Sequence, residues 1–238
     1  RGNTIRDAEG VAREAIDINA GSGGTILIEG NRIYTRSAMT DGVGIAMTDG
    51  TLEALRIANN DIEVYNSIRH ITAVGGGAGT GESFSAEITG NTLRGIGGGI
   101  DWTPITAPAT VAFAITDNSI NSAAAATVIA VSGAGAGSVS RNRIRMTSAG
   151  TQTAISVDTT NIVIDSNTIY GSGLNGPGTG IDVTSGDCII SNNNITLASG
   201  FGAATGIAAT GDRVAISGNR IISGGSVGKG IDFLGATS

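Results

Sequence analysis

Nine times along this chain an asparagine stands two residues ahead of an isoleucine or leucine: Asn3, Asn31, Asn60, Asn91, Asn118, Asn142, Asn167, Asn193 and Asn219, at intervals of 28, 29, 31, 27, 24, 25, 26 and 26 residues. A repeat this short cannot enclose a core of its own. It must bury its apolar face against the repeats on either side, which is the condition for a solenoid. Three residues before each asparagine from the second onward stand Ile28, Ile57, Ile88, Ile115, Val139, Ile164, Ile190 and Ile216, all apolar and β-branched. Two residues after each asparagine stand Ile5, Ile33, Ile62, Leu93, Ile120, Ile144, Ile169, Ile195 and Ile221. Stacked at a strand spacing of about 4.8 Å, these rows predict two aliphatic ladders along an interior roughly 40 Å long. Residues 180–186, 187–193 and 194–200 read as three short alternating strands, one coil of the repeat. The asparagines fall at a corner between two strands. There they are expected to adopt left-handed backbone and to donate to one neighbouring coil while accepting from the other.

Composition narrows the function classes. With 3% aromatic residues and 39 glycines, the interior must be built from small and β-branched side chains. No stretch of eighteen apolar residues is present, so no membrane span is expected. A net charge of −6 argues against nucleic acid, which needs a basic surface. The lone Cys188 excludes an intrachain disulfide framework and reads as a small buried hydrophobe. Residues 7–15 are the only segment with a helical period, with room for little more than one turn. The unbroken repeat makes residues 1–238 one domain, and since neither end carries a polar cap, the expectation is a segment of a longer chain.

The combination G-I-D-V followed by I-x-x-N-x-I, with an asparagine row at the corner, resembles the right-handed parallel β-helix superfamily. That group includes pectate-lyase-like enzymes, alginate epimerases, phage tailspikes and surface adhesins, and the chain is closest in character to the tailspike and surface-protein segments. The resemblance implies an all-β, single-stranded right-handed parallel β-helix of about nine coils, each of 24–31 residues and three strands. Handedness rests on that resemblance and on the general preference for right-handed parallel crossovers. The fold hosts lyases, hydrolases, epimerases and inert shafts, so it names no single activity.

Three groups of residues are candidates for chemistry. The first lies beside two long turns, around residues 75–83 and 103–110, where the only histidine, His70, and the only tryptophan, Trp102, occur. One register stacks Arg69 over Asp101 and points Trp102 inward. The other places Ile71 inside, turning His70 outward as an acid or base beside Asp101. The functional reading is a saccharide site with catalytic His70, Asp101 and Arg69, a Trp102 platform and Glu82 as a second carboxylate. The second group is the carboxylate row Asp17, Asp101, Asp182 and Asp232, whose equivalent positions include Ala114, Ala130, Ser156 and Ala208. The third is a basic stripe after the asparagine corner, Arg6, Arg32, Arg94, Arg143, Arg145 and Arg220, joined by Tyr34 and Tyr170 and interrupted by Asp61 and Glu63. Of these, Arg94, Arg143, Arg145, Tyr34 and Tyr170 are candidate ligand-binding residues for an anionic glycan.

Neither a calcium loop, a phosphate loop nor a nucleophile triad is recognisable, and no metal or cofactor is expected. The expected function is an extracellular, cell-surface or virion segment of tail spike, fibre or adhesin type, serving as a rigid shaft and a surface for a polysaccharide or cell-surface glycan. The alternative is a polysaccharide lyase or glycoside hydrolase acting on an acidic polysaccharide. Uncapped ends and flat faces leave homotrimers and end-to-end association open.

Overall fold

Short runs of Val, Ile and Thr alternating with polar residues form 26 strands, and no helix occurs among the described residues. The computed structural model describes residues 1–6, 14–19, 24–35, 43–49, 52–64, 69–74, 83–96, 98–103, 110–123, 127–133, 135–148, 150–172, 178–198, 204–224 and 228–234. Residues 14 and 15 of the segment with a helical period belong to strand Glu14–Asn19, and the rest of it lies outside the described residues. The strands sort into three parallel sheets of nine, nine and eight, and each strand pairs with those three places before and after it in the chain. The first sheet runs from Thr4–Arg6 to Arg220–Ser223, the second from Glu14–Asn19 to Lys229–Phe233, and the third from Thr25–Glu29 to Ala215–Ser217. The chain therefore winds through first, second and third sheet in turn, one circuit per repeat.

Both expected ladders are present in register. In the first sheet Ile144 pairs with Ile120 and Ile169, and in the third Ile164 pairs with Val139 and Ile190. A third row, not singled out in the sequence, is isoleucine at every rung: Ile16, Ile45, Ile71, Ile100, Ile129, Ile155, Ile181, Ile207 and Ile231. Its middle members are essentially without solvent contact, and each buried isoleucine contributes about 1.5–3 kcal/mol. The residue just before this row also faces inward, as Gly44, His70, Gly99, Val128, Ala154, Gly180 and Gly206 are all buried. Pairing steps over it, from Arg69↔Gly98 directly to Ile71↔Ile100. A Cβ on Gly180 would lie 2.5 Å from Gly206 O and 2.7 Å from Ile195 Cγ2. The recurring Gly-Ile pair thus marks a crowded corner between the first and second sheets.

His70 occupies that corner row. The expectation that Ile71 inside would turn His70 outward fails, because strict alternation is broken here and both side chains face the interior. Its Nδ1 lies 3.1 Å from Gly98 O and its Nε2 2.8 Å from Arg94 O, so the imidazole clips one coil to the next. Trp102 is 1% exposed, stacks against Phe84 at 5.8 Å between centroids and meets the tilted ring of Phe113 at 5.4 Å. It fills the core and is not a solvent-facing platform. Gly137 makes room for this layer, since a Cβ there would sit 2.7 Å from the Phe113 ring.

The asparagine corner carries the longest hydrogen-bonded array. Asn142 shows the pattern: its backbone N–H and Nδ2 both donate to Asn167 Oδ1 at 2.9 and 3.1 Å. Its Nδ2 also donates to Ile115 O at 2.8 Å, and its Oδ1 accepts from Asn118 N and Nδ2, both at 3.0 Å. The same amide linkage joins all nine, from Asn3 onto Asn31 through to Asn193 onto Asn219. The left-handed backbone expected of these residues belongs instead to the position before each: Gly2, Gly30, Asn59, Gly90, Asp117, Arg141, Ser166, Asn192 and Gly218. That reversal frees the asparagine side chain to point inward while its neighbour makes the turn.

Asn142→Ala strips a buried N–H, an amide and a carbonyl of their partners. It is expected to cost roughly 3–5 kcal/mol in urea unfolding followed by circular dichroism, with Asn219→Ala at the partly exposed end costing less than half as much. Equal losses at both sites would refute a cooperative ladder. Ser166 pays the left-handed penalty without glycine's freedom, at a φ of 57°. Ser166→Gly should therefore raise the unfolding midpoint, worth about 1 kcal/mol. Burial holds the His70 pKa below its ordinary 6.5, with the carbonyls of Arg94 and Gly98 opposing that shift. The unfolded chain then binds the extra proton first, so the contribution is complete above the unfolded pKa and lost as pH falls below it. With one histidine in the chain, the thermal midpoint should drop from pH 7.5 to 5.5 in the parent and change much less in His70→Gln.

Candidate functional site

The second sheet carries the carboxylate row. Asp17, Ala46, Thr72, Asp101, Ala130, Ser156, Asp182, Ala208 and Asp232 follow one another in register, which places the four aspartates in one line. Ala114 does not belong to it, for it pairs with Glu87 and Ser138 in the third sheet. Every acidic rung is flanked by uncharged ones. Asp182 and Asp232 stand two rungs apart, about 9.6 Å at the strand spacing, with Ala208 between them. Asp182 is half-buried, and desolvation pushes its carboxyl up from the ordinary range. Asp232 is held by Lys229 at 2.7 Å, and Asp101 accepts a hydrogen bond from Thr103 Oγ1 at 2.9 Å.

The constellation expected beside the long turns is not assembled as such. The register sets Thr72, not Arg69, beside Asp101, while Arg69 pairs with Gly98. The Arg69 side chain and Glu82 lie outside the described residues. His70 and Trp102 are interior, so neither meets a ligand arriving from solvent. Among the described residues no cluster of three His, Cys, Asp or Glu side chains could hold a metal ion.

The first sheet is different. Its outward residues fall one and three places after each ladder asparagine, because strands of four residues start directly after the corner. From the second to the fourth coil this face is neutralised. Arg94 Nη2 lies 2.7 Å from Asp61 and 3.9 Å from Glu63, Arg32 lies 3.8 Å from Asp61, and the Arg32 guanidinium covers the Tyr34 ring at 5.4 Å. Tyr34 and Arg94 are thus committed to internal contacts. From strand Ser119–Ser122 onward no carboxylate occupies either outward row. Arg143 and Arg145 are exposed and make no ion pair among the described residues. On the next strand Tyr170 is 42% exposed, opposite Arg145 in register.

These residues surround a shallow depression of about 400 Å³ lined by Arg143, Arg145, Thr168, Tyr170, Asn194 and Thr196, floored by Ile144 and Ile169. Two guanidinium forks, a phenol face, two hydroxyls and an amide converge there. That set can bind an anion bidentately, stack on a flat apolar face and satisfy hydroxyls, but it contains no group poised to move a proton. Thr168, Asn194 and Thr196 were not anticipated as lining residues, although their fixed distance from the ladder asparagines was a usable signal. A second concavity, at the corner of the second and third sheets, centres on Asp187 and Arg213, which pair with each other beside the Asp212 carboxylate. Comparisons with protein families, with curated proteins and with solved structures find no match to this chain.

Proposed function

We propose that the chain is a rigid shaft of an extracellular, cell-surface or virion protein, of fibre, tail spike or adhesin type, that contacts an acidic glycan through the first sheet. The observation that carries this reading is the pair of unpartnered arginines, Arg143 and Arg145, beside exposed Tyr170 in a chain of net charge −6. Four other arginines are matched by carboxylates: Arg1 with Glu29, Arg56 with Glu87, Arg141 with Asp117 and Arg213 with Asp187. Leaving two adjacent guanidiniums open on an acidic protein sets up a local anion site against the overall charge. Carboxylated or sulfated sugars offer planar or trigonal oxygens to the forks and an apolar ring face to Tyr170. Continuous backbone pairing and the amide ladder give the shaft its stiffness. The hydrolase or lyase alternative loses its proposed base, since both His70 ring nitrogens face carbonyls in the interior.

Titration with polygalacturonate oligosaccharides should give binding that weakens from about 50 mM to about 500 mM salt. The double variant Arg143→Ala/Arg145→Ala should bind roughly tenfold more weakly or worse, about 1.4 kcal/mol, with an unchanged circular dichroism spectrum. Tyr170→Ala should lose less, and neutral dextran should not bind. Identical isotherms for the parent and the double variant would overturn this site.

A further inference from the structure

Charge is distributed very unequally in the two directions available to a ligand on the first sheet. Five neighbouring strands, from Ser119–Ser122 to Arg220–Ser223, carry no acidic residue in their outward rows, a span of roughly 19 Å along the solenoid axis. Arg220 stands three rungs beyond Arg143 in the same row, about 14 Å away. Its guanidinium Nη1 donates to Asn194 Oδ1 at 3.1 Å, and Asn194 itself lines the depression, so the two arginine groups are joined by continuous polar surface.

Along the strand direction the track ends quickly. The outward rows are two residues wide, about 7 Å, and the corner beside them carries Asp117 and Asp165. Asp117 is matched by Arg141 at 2.8 Å, and Asp165 accepts from Ser191 Oγ at 2.6 Å, Ser166 Oγ at 2.7 Å and Asn192 Nδ2 at 3.0 Å, with Arg141 near enough to act on its charge. Asp165 thus places a carboxylate hydrogen-bonded by neutral donors at that margin. At the other axial end Asp61 and Glu63 close the track by capturing Arg94. An anionic chain laid across the strands' width leaves the cations within about 7 Å and on the corner side runs toward Asp165, whereas one laid along the axis stays over cations and hydrogen-bonding side chains for several rungs.

We infer that the ligand is a linear anionic polysaccharide lying parallel to the solenoid axis, engaging Arg143, Arg145 and Tyr170 at one end and Arg220 at the other. The inference rests on the proposed glycan contact and adds to it an orientation, a length requirement and a second contact site. Three guanidiniums and one exposed phenol are too few cations and too few stacking faces for nucleic acid, which favours a sugar polymer.

Calorimetric titration of the whole chain with oligogalacturonates and with heparin-derived oligosaccharides, from disaccharide to decasaccharide, tests it. In the series that binds, affinity should climb with length to about the octasaccharide and then level off. Arg220→Ala should weaken the octasaccharide roughly fivefold and leave the disaccharide unchanged, while Arg143→Ala weakens both. Both side chains are exposed, so their removal leaves the packed interior intact. Disaccharide and octasaccharide binding equally, with Arg220→Ala silent on both, would overturn the axial placement while leaving the glycan contact standing. No binding in either series would overturn the contact itself. An oligothymidylate of matching length binding as tightly as the octasaccharide would overturn the assignment to polysaccharide.

Discussion

From Asn60 to Asn193 each asparagine amide at the corner makes contacts that no other side chain of its size can make together: one oxygen accepting twice from the coil before, one nitrogen donating both to the coil after and to a main-chain carbonyl. The amides repeat at the spacing of the strands, so they fix the rise and the lateral offset of every coil at one point. Everything adjacent to that point inherits its precision. The third-sheet strand ends two residues before it and the first-sheet strand starts immediately after it, and in both sheets the isoleucine rows stack rung on rung. Buried polar atoms are tolerated here because the array satisfies them completely, whereas the indole Nε1 of Trp102 in the same interior has no partner.

A scaffold defined from inside leaves its outer rows free to vary. The three inner rows are almost uniformly isoleucine, while the first-sheet outer rows carry arginine, aspartate, glutamate, threonine, tyrosine and asparagine in different coils. Whether an outer residue is available to a ligand depends on its neighbours one rung away. Arg94 and Arg145 occupy equivalent slots, yet Arg94 is quenched by Asp61 and Glu63, whereas Arg145 is flanked by Asn121 and Tyr170. The second sheet shows the converse: four aspartates share one row with uncharged rungs between them, and its nearest pair, Asp182 and Asp232, stands about 9.6 Å apart, at the upper limit for an inverting carboxylate pair.

The fold was legible in the sequence because the offsets around each asparagine never change. Three residues back and two residues forward are apolar in every complete coil, and that invariance is itself the imprint of the amide array. From it followed the sheets, two of the three ladders, the outward slots of the basic stripe and the interruption of that stripe by Asp61 and Glu63. The second sheet is joined to the corner by turns of unequal length, with the asparagine-to-isoleucine distance running from 9 residues, Asn91 to Ile100, to 14, Asn167 to Ile181. Any placement on that sheet that relied on counting from the asparagine was therefore unreliable. The third isoleucine row, the membership of Ala114 and the alignment of Arg69 with Asp101 were all lost for that reason.

The sequence alone determined the repeat and the stacking residues, since both depend on residue type at fixed local spacing. Tertiary structure decided which way His70 and Trp102 point and which arginines remain unpaired. The direction of His70 turns on a corner where two successive residues must enter the core, a departure from alternation that strand periodicity does not encode. The freedom of Arg143 and Arg145 turns on what lies one coil above and below, 24 and 25 residues away in the chain, so only the winding brings the relevant neighbours together.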